Sequence, residues 1–331
     1  MLKNAKIAVL GGGSWATAIV KMITENKALV GWYMRSKNAV AHIKENYHNP
    51  NYIQSVEFNI DTLDLSTDIN ATVINYDILI FAIPSAFLTQ ELEKLHVSLE
   101  NKIIFSAIKG IVPETGLIVG EHFHNIYKIS FENIGVITGP CHAEEVAMER
   151  LSYLTVACQD ESKAKYLADA LKSWYINTKV SDDIIGTEYA AMLKNIYAIA
   201  AGIAHGLGYG DNFQSVLMSN AIREMKRYIK KVHKMKRNIN NSAYLGDLLV
   251  TGYSTFSRNR MFGNMIGKGY TVKSAQMEMS MIAEGFYAVK SAYKLNLENG
   301  AKTPIIDTVY NVLYNNKNAK KEFKKLTSKL D

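Results

Sequence analysis

Three consecutive glycines near the start of the chain have the spacing of a phosphate-binding loop. Residues 11–16 read G-G-G-S-W-A, which fits the pattern G-x-G-x-x-A, and they follow the apolar run K-I-A-V-L. In this pattern Gly11 permits a tight turn, and Gly13 lets the backbone approach a pyrophosphate. The helix that follows directs free N–H groups and the positive end of its dipole at the phosphates. The motif therefore predicts a dinucleotide cofactor, NAD(P)H.

Arg35 bears on which nicotinamide cofactor is used. It lies about 20 residues beyond the loop, where an NAD-specific fold usually carries Asp or Glu. A guanidinium group suits the 2′-phosphate of NADP, because its donors match phosphate geometry. A solvated arginine at a strand end is the plainer interpretation, so NAD and NADP both stay open.

Two lysines have positions at which a cation would serve a reaction. Lys194 lies in a predicted helix, and small side chains share its face: Ala191, Asn195, Ala198 and Gly202. A lysine among such residues either extends to solvent or has a function. From the residues alone, extension to solvent is the favoured interpretation of Lys194; in a functional role its ammonium group would donate a proton. Lys109 ends a predicted strand, where ligands of doubly wound folds gather, and a second cation nearby would lower the pKa of a catalytic lysine.

The segment Ser257-Arg258-Asn259 has the composition of an anion site. A serine directly before a helix is typical of an N-cap, and the start of a helix binds phosphate. Arg258 adds a fork of donors suited to phosphate oxygens. We treat Arg260 as structural or peripheral.

The elements that must position these residues alternate between strands and helices in the first half of the chain. Nearly continuous apolar runs predict buried parallel strands over Lys6–Gly11, Ala28–Met34, Asp77–Ile83, Lys102–Ile108 and Asn133–Thr138. Helical segments are predicted over Trp15–Thr24, Ala86–Leu95, Gly116–His124 and His142–Met148. A further strand–helix–strand set closes this half near Asp182. This alternation indicates an α/β domain with a Rossmann-type, doubly wound sheet.

The second half has helical patterns in place of strands. Helices are predicted over Ile184–Gly206, Asn212–Val232, Ala275–Leu295 and Thr303–Leu313. A chain of 331 residues exceeds the ~250–300 residues of a single core, so two domains are expected. We place a cofactor-binding domain over residues 1–183 and an all-helical substrate-binding domain over residues 184–331.

Composition narrows the class of protein. No apolar run reaches the ~18–20 residues of a membrane span, and no signal peptide precedes the first strand, so a cytoplasmic protein is expected. The two cysteines, Cys141 and Cys158, cannot form a disulfide framework. The eight histidines show no metal-binding motif, so no metal is expected. A net charge of +7 suits phosphorylated ligands, nucleic acid or an anionic membrane alike.

Several segments together resemble the bacterial NAD(P)-dependent glycerol-3-phosphate dehydrogenase family. They are GGGSWATA (11–18), SAIKG (106–110), GPCHAEEV (139–146), KNIYAIAAGIAHGLGYGDN (194–212), LGDL (245–248), SRNRMFG (257–263) and AEG (283–285). Their order and spacing match over essentially the whole chain. The resemblance implies reversible reduction of dihydroxyacetone phosphate to sn-glycerol 3-phosphate, which feeds phospholipid synthesis.

The resemblance also implies roles for individual residues. Lys194 would donate and accept the proton at the substrate oxygen, with Lys109 beside it. The cofactor would be bound by Gly11, Gly13, Ser14, Trp15, Arg35, Lys109, Ala143, Arg258, Ile282 and Glu284. The substrate would be bound by Lys109, Gly139, Cys141, Lys194, Asp247, Ser257, Arg258 and Asn259. At Cys141 the chain departs from the family, which usually has Ser or Thr there, and a thiol is a weak donor.

Other interpretations compete with this one. Another dehydrogenase with a similar domain pair, acting on a 3-hydroxyacid or a phosphogluconate, would use a different carboxylate-binding set. A nicotinamide-binding sensor without activity is a second alternative, which the presence of Lys109 and Lys194 argues against. The basic stretch Arg223–Arg237 would suit a membrane surface or nucleic acid, but we interpret it as a solvated face and expect no nucleic acid partner. We expect a homodimer, although no motif in the sequence requires one.

Overall fold

A computed structural model describes residues 2, 4–27, 29–279 and 283–331 of the chain. The chain divides into two compact units. The first contains the residues up to Ile108 together with Leu117–Ile184, and the second contains Lys109–Gly116 together with Ile185–Asp331. Lys109 therefore belongs to the unit that also contains Lys194. Within the described part of the chain, no helix combines the length and the apolar character needed to cross a bilayer.

The first unit is built on one eight-stranded sheet with the order β3-β2-β1-β4-β5-β6-β7-β8. The strands are β1 (Ile7–Leu10), β2 (Val30–Tyr33), β3 (Leu63–Ser66), β4 (Ile78–Phe81), β5 (Ile103–Ser106), β6 (Ile134–Thr138), β7 (Ser152–Cys158) and β8 (Ile176–Ser181). Strands β1, β2 and β4 are buried along their whole length, as their continuous apolar sequences predict. The α/β class and the doubly wound arrangement are confirmed.

Helices connect these strands. They are α1 (Ser14–Thr24), α2 (Lys37–Asn46), α3 (Ile69–Asn75), α4 (Ser85–Leu92), α5 (Val119–Tyr127), α6 (Ala143–Ala147) and α7 (Glu161–Leu171). In α1 the side chains of seven residues between Ala16 and Ile23 are buried, which packs this helix tightly against the sheet. The glycine-rich residues 11–13 fill the gap between β1 and α1 and thus lie at the carboxyl end of a central strand.

Two features of the sheet differ from the predicted pattern. Strand β3 was not predicted, because it is a short edge strand whose sequence, L-D-L-S, has no continuous apolar run. Strand β7 runs antiparallel to β6, whereas the other neighbouring pairs are parallel. The connection over residues 139–151 contains only the five-residue helix α6, which turns the chain back instead of carrying it across the sheet.

The second unit is helical. Its helices are α8 (Ile184–Gly206), α9 (Asp211–Val232), α10 (Asp247–Tyr253), α11 (Arg258–Gly267), α12 (Val272–Glu278), α13 (Glu284–Asn299), α14 (Pro304–Leu313) and α15 (Ala319–Thr327). The helical character predicted for this half is confirmed. The single helix predicted over Ala275–Leu295 is wrong, since α12 ends at Glu278 and α13 begins at Glu284, whose carboxylate suits a first helical turn.

A buried carboxyl group joins two of these helices. Glu224 of α9 accepts hydrogen bonds from the backbone N–H groups of Ile305 and Ile306, at 2.8 and 3.0 Å. These amides lie in the first turn of α14, where a helix leaves N–H groups without partners inside the helix. Burial raises the pKa of Glu224 to about 8, although the two amide donors act in the opposite direction.

Candidate active site

The two outer glycines of the loop after β1 meet different surroundings. Gly11 has φ +138°, and a Cβ there would collide with the backbone carbonyl of Ala82. Gly13 has φ −83°, and a Cβ there would find no other atom within 4 Å. Gly11 is thus needed by the fold itself, whereas the absent side chain of Gly13 keeps open the space in front of the loop.

A pocket of about 290 Å³ lies beside this loop in the first unit. Its walls include Gly11, Gly12, Gly13, Arg35, Asn51, Tyr52 and Phe87. Arg35 is exposed, and its guanidinium carbon lies 5.9 Å from the centre of the Phe87 ring. Ser14 and Trp15 follow the loop as the first residues of α1. A glycine loop, open backbone space and a cation at the rim fit the phosphates of a dinucleotide.

The turn after β6 holds three further predicted residues in the first unit. Gly139 has φ +123°, and a Cβ there would lie 2.6 Å from the carbonyl oxygen of Tyr153. Cys141 is buried, and Ala143 is the buried first residue of α6. Only glycine therefore fits the first of these positions, while the thiol of Cys141 is shielded from solvent.

In the second unit, Lys194 and Asp247 form a buried ion pair. Lys194 Nζ donates to Asp247 Oδ1, and the two residues are 3% and 1% exposed. Asp247 begins α10 directly after a π-helical turn over Ser242–Gly246, which directs its carboxylate inward. Its second oxygen, Oδ2, is buried and finds no hydrogen-bond partner among the described residues. The pair thus keeps one acceptor available for a ligand.

The protonation of Lys194 is set by burial and by two neighbouring charges. Burial is the largest effect and lowers its pKa to about 8, while Asp247 raises the pKa and Lys109 lowers it. An amine that titrates near neutrality can both donate and accept a proton under physiological conditions. The structure therefore brings Lys109 and Lys194 within electrostatic reach of one another.

Glu284 and Arg258 belong to the same group of charges. Burial raises the pKa of the Glu284 carboxyl, and the cations Arg258, Lys109 and Lys194 counteract this rise. Arg258 and Glu284 are each the first residue of their helix, α11 and α13, and both are partly buried. Ile282, predicted to contact the cofactor, lies outside the described residues.

The start of α11 has the capped geometry predicted for it. The Ser257 hydroxyl accepts a hydrogen bond from the backbone N–H of Arg260 at 3.3 Å, which makes Ser257 the N-cap. Asn259 is buried, and its Oδ1 accepts from the backbone N–H of Gly285 at 2.9 Å. Since the carbonyl oxygen of Asn259 serves the packing of α13, its NH₂ group is the part suited to donate to a phosphate oxygen.

Helices α8 and α11 approach one another through glycine. A Cβ on Gly202 would lie 2.8 Å from the backbone nitrogen of Asn264, and one on Gly263 would lie 2.9 Å from the carbonyl carbon of Ile199. Gly206 and Gly267 meet each other in the same way, at 2.9 Å. Gly202 is one of the small residues that share a helix face with Lys194. Gly202 itself packs on α11 backbone.

Further residues around the glycine loop were not predicted. Glu91 lies in the pocket wall and accepts a hydrogen bond from the Tyr33 hydroxyl at 2.9 Å. Asn49 and Trp32 bind loop carbonyls. A turn sequence such as H-N-P-N-Y around Asn49 carries no signal that distinguishes this role from that of an ordinary turn.

The basic stretch of α9 presents its cations mainly at the surface. Arg223 forms an ion pair with Asp331 at 2.7 Å, and Arg227 Nε donates to the carbonyl of Lys302 at 3.2 Å. Across residues 2, 4–27, 29–279 and 283–331, no group of three or more His, Cys, Asp and Glu side chains is placed to hold a metal ion.

Comparison with known proteins gives the family of this chain. A family model for the N-terminus of NAD-dependent glycerol-3-phosphate dehydrogenase matches residues 6–164, and the corresponding C-terminus model matches residues 183–324. A relative from an Exiguobacterium species, named glycerol-3-phosphate dehydrogenase (NAD(P)+), is 34% identical over 97% of this chain and 95% of its own. The relative of the same name from Latilactobacillus sakei is 33% identical over 94% and 93%. A solved glycerol-3-phosphate dehydrogenase from Coxiella burnetii superposes with a TM-score of 0.88 at 25% identity, over 98% of this chain and 99% of that one. The chain belongs to the NAD-dependent glycerol-3-phosphate dehydrogenase family.

Proposed function

We propose that this protein catalyses the reversible, NAD(P)(H)-dependent reduction of dihydroxyacetone phosphate to sn-glycerol 3-phosphate. The observation that carries the proposal is the buried Lys194, ion-paired with Asp247 and with its pKa lowered to about 8. Membership of the family and the printed names of the two relatives support the same reaction. A binding module without activity would have no use for a buried ammonium group, whose desolvation is costly.

The first unit binds the pyrophosphate and the adenosine end of the cofactor in this proposal. The backbone N–H groups after Gly11 hold the pyrophosphate, and Gly13 supplies the room for it. Ser14 and Trp15 continue this contact at the start of α1, and Arg35 lies at the rim of the pocket for the adenosine end. The bound nicotinamide supplies or accepts the hydride at the substrate carbon. Ala143, Lys109, Arg258, Ile282 and Glu284 complete the proposed cofactor-binding set.

Lys194 moves the proton. In the reductive direction its ammonium group stabilises the negative charge that develops on the substrate oxygen and transfers a proton to it. In the oxidative direction the neutral amine removes that proton. Asp247 orients Lys194 through Oδ1, and its Oδ2 is proposed to accept a hydroxyl hydrogen from the substrate. Lys109 adds a second positive charge and lowers the pKa of Lys194.

The start of α11 binds the substrate phosphate. Ser257 caps the helix, Arg258 offers a guanidinium group and Asn259 offers an amide NH₂ group. Together with the helix dipole they form a site for a dianion on a small molecule. Gly139 and Cys141 are proposed to contribute backbone contacts to the substrate, because the Cys141 thiol is a weak donor.

We also propose a metabolic role, a location and an assembly for the protein. The product would feed phospholipid synthesis, and the protein would work in the cytoplasm as a homodimer. Membership of the family supports this wider proposal.

An absorbance assay of cofactor oxidation tests the proposal. Purified protein is mixed with NADH or NADPH and with either dihydroxyacetone phosphate or unphosphorylated dihydroxyacetone. We expect rapid oxidation with the phosphorylated substrate and little with the other, and the faster cofactor shows what Arg35 contributes. Cofactor binding without oxidation of either cofactor would contradict the reaction and favour a different hydroxy-substrate or a sensor.

A further inference from the structure

The carbonyl groups of all three loop glycines are bound by side chains or backbone from inside the first unit. Gly11 O accepts from Trp32 Nε1 at 2.7 Å, and Gly12 O accepts from Asn49 Nδ2 at 3.1 Å. Gly13 O accepts from both the backbone N–H and the hydroxyl of Thr17, each at 3.0 Å. The three donor residues are between 0% and 1% exposed, so these carbonyls point into the protein.

This orientation determines what faces the pocket. In a trans peptide unit the C=O of one residue and the N–H of the next point in opposite directions. Carbonyls of residues 11–13 that point inward therefore turn the N–H groups of residues 12–14 outward, where a pyrophosphate needs donors.

The Gly12 carbonyl differs from its neighbours in how it is held. Gly11 O is bound by a residue of the adjacent strand β2, and Gly13 O is bound within the first turn of α1. The donor to Gly12 O, Asn49, lies instead in the segment after α2. Its Nδ2 also donates to Thr17 Oγ1 at 2.9 Å, and its Oδ1 accepts from the backbone N–H of Asn51 at 3.0 Å.

The Gly12 peptide needs such a restraint more than an ordinary peptide does. Because Gly12 lies between two glycines, no side chain resists rotation of the peptide unit between residues 12 and 13. If this unit rotated, a carbonyl dipole would replace an N–H group in front of the phosphate, and the two negative ends would repel one another.

We propose that Asn49 is a positioning residue for cofactor binding, which fixes the Gly12 carbonyl inward and so presents the loop amides to the pyrophosphate. Through Asn51 and Tyr52, which line the same pocket, Asn49 also ties the pocket wall to the loop. The inference rests on the proposed placement of the pyrophosphate on this loop.

Asn49→Ala and the isosteric Asn49→Asp test the proposal. Aspartate has nearly the same size and retains the acceptor for Asn51 N–H, but it has no donor for Gly12 O or for the Thr17 hydroxyl oxygen. We measure the Kd of NADH and of NADPH by fluorescence titration, together with kcat and KM at saturating cofactor. Asn125→Ala, an exposed change on α5 of the same unit, is the matched control.

We expect both Asn49 variants to raise the cofactor Kd by about ten- to a hundredfold, because a buried carbonyl loses its donor and the loop loses its orientation. At saturating cofactor, kcat and the KM of dihydroxyacetone phosphate should stay within about twofold of the wild type. A purely structural role would lower the melting temperature and the fraction of active enzyme without changing the Kd of the folded molecules. That result, or an unchanged Kd in Asn49→Asp, would overturn the proposal.

Gly13→Ala separates this inference from the proposed function. The added methyl meets no protein atom, so the variant should fold, but it occupies the space assigned to the pyrophosphate. Weak cofactor binding in Gly13→Ala together with unchanged binding in the Asn49 variants overturns the role of Asn49 alone. Unchanged binding in all of them means that the pyrophosphate does not lie on this loop, and the proposed cofactor site fails as well.

Discussion

Lys194 and Asp247 form an ion pair from which solvent is almost entirely excluded, and the two residues lie 53 positions apart in sequence, on α8 and α10. The carboxylate favours the charged lysine, whereas burial and Lys109 oppose it, and the balance leaves the pKa at about 8. At neutral pH the lysine is therefore mostly protonated but can release its proton at a modest cost.

Lys194→Ala should abolish turnover and leave cofactor binding nearly intact, because the glycine loop belongs to the other unit. General acid–base catalysis by one group contributes about 10²–10⁴-fold, so a loss of at least this size is expected. Steady-state rates and cofactor titration check it. Lys226→Ala, an exposed lysine on α9, is the matched control, and normal turnover in Lys194→Ala would remove Lys194 from the mechanism.

The pH dependence of the two reaction directions should be opposite. Reduction needs the protonated amine, so its rate should fall as pH rises through about 8, while oxidation needs the neutral amine and should rise over the same range. Asp247→Asn removes the carboxylate that raises the pKa of Lys194. The fall of the reduction rate and the rise of the oxidation rate should therefore both move to lower pH. Profiles of kcat against pH for wild type, Asp247→Asn and the exposed control Asp211→Asn test this. An unchanged pH midpoint in Asp247→Asn would contradict it.

Gly11→Ala should lower the stability of the protein, whereas Gly13→Ala should lower its affinity for the cofactor. Alanine at position 11 must adopt φ +138° against the Ala82 carbonyl, so the melting temperature should fall by an amount that reflects at least about 1–3 kcal/mol of strain. Alanine at position 13 should leave the melting temperature unchanged and weaken the cofactor by about tenfold or more, or about 1.4 kcal/mol. Thermal unfolding and cofactor titration separate the two, and equal loss of stability in both would refute this division.

Glu224 should make stability depend on pH. Its pKa rises from 4.5 to about 8 on folding, so between these values the folded state retains a proton that the unfolded state has lost. The free energy of unfolding is then highest below pH 4.5 and declines as pH rises towards about 8, at up to about 1.4 kcal/mol per pH unit. Glu224→Gln removes this contribution, so urea midpoints of the variant should change less with pH than those of wild type or of the exposed control Glu298→Gln. Parallel curves would show that the carboxyl is ionised in the folded protein.

Cys141→Ser should improve substrate binding. The position is buried, and a hydroxyl group donates a stronger hydrogen bond than a thiol of similar size. A decrease of about three- to tenfold in the KM of dihydroxyacetone phosphate corresponds to one ordinary hydrogen bond. The exposed change Asn38→Ala serves as the comparison. A KM that stays the same would indicate that backbone groups alone make the contact here.

The sequence predicts the parts of this protein that rest on local pattern. Buried strands such as β4 and the turn at Gly11 could be predicted because each depends on neighbours in the chain. Strand β3 could not, since its edge position requires only two inward apolar residues. The boundary between α12 and α13 was missed because apolar spacing continues across it.

The candidate site was predictable to a similar extent. Ser257 has a local signature as an N-cap, and the structure contains that cap. The pairing of Lys194 with Asp247 has no local signature, and only the family resemblance indicated that both residues bind the substrate. The position of Asn49 could not be predicted, because its proposed role depends on a contact with Gly12, 37 residues away in sequence.

The glycine contacts between α8 and α11 have a consequence for substrate size. The backbones of α8, which carries Lys194, and α11, which begins at Arg258, are in contact at four glycines: Gly202, Gly206, Gly263 and Gly267. No side chain lies between the helices at these points, so a substitution there cannot adjust the distance between them. The separation of the proposed proton-transfer group from the proposed phosphate-binding end is thus fixed by the contact of the two backbones. The contact of the two helices therefore restricts the length of the substrate that can bind. Replacing core residues near these helices should lower the stability of the protein before it changes the accepted substrate length.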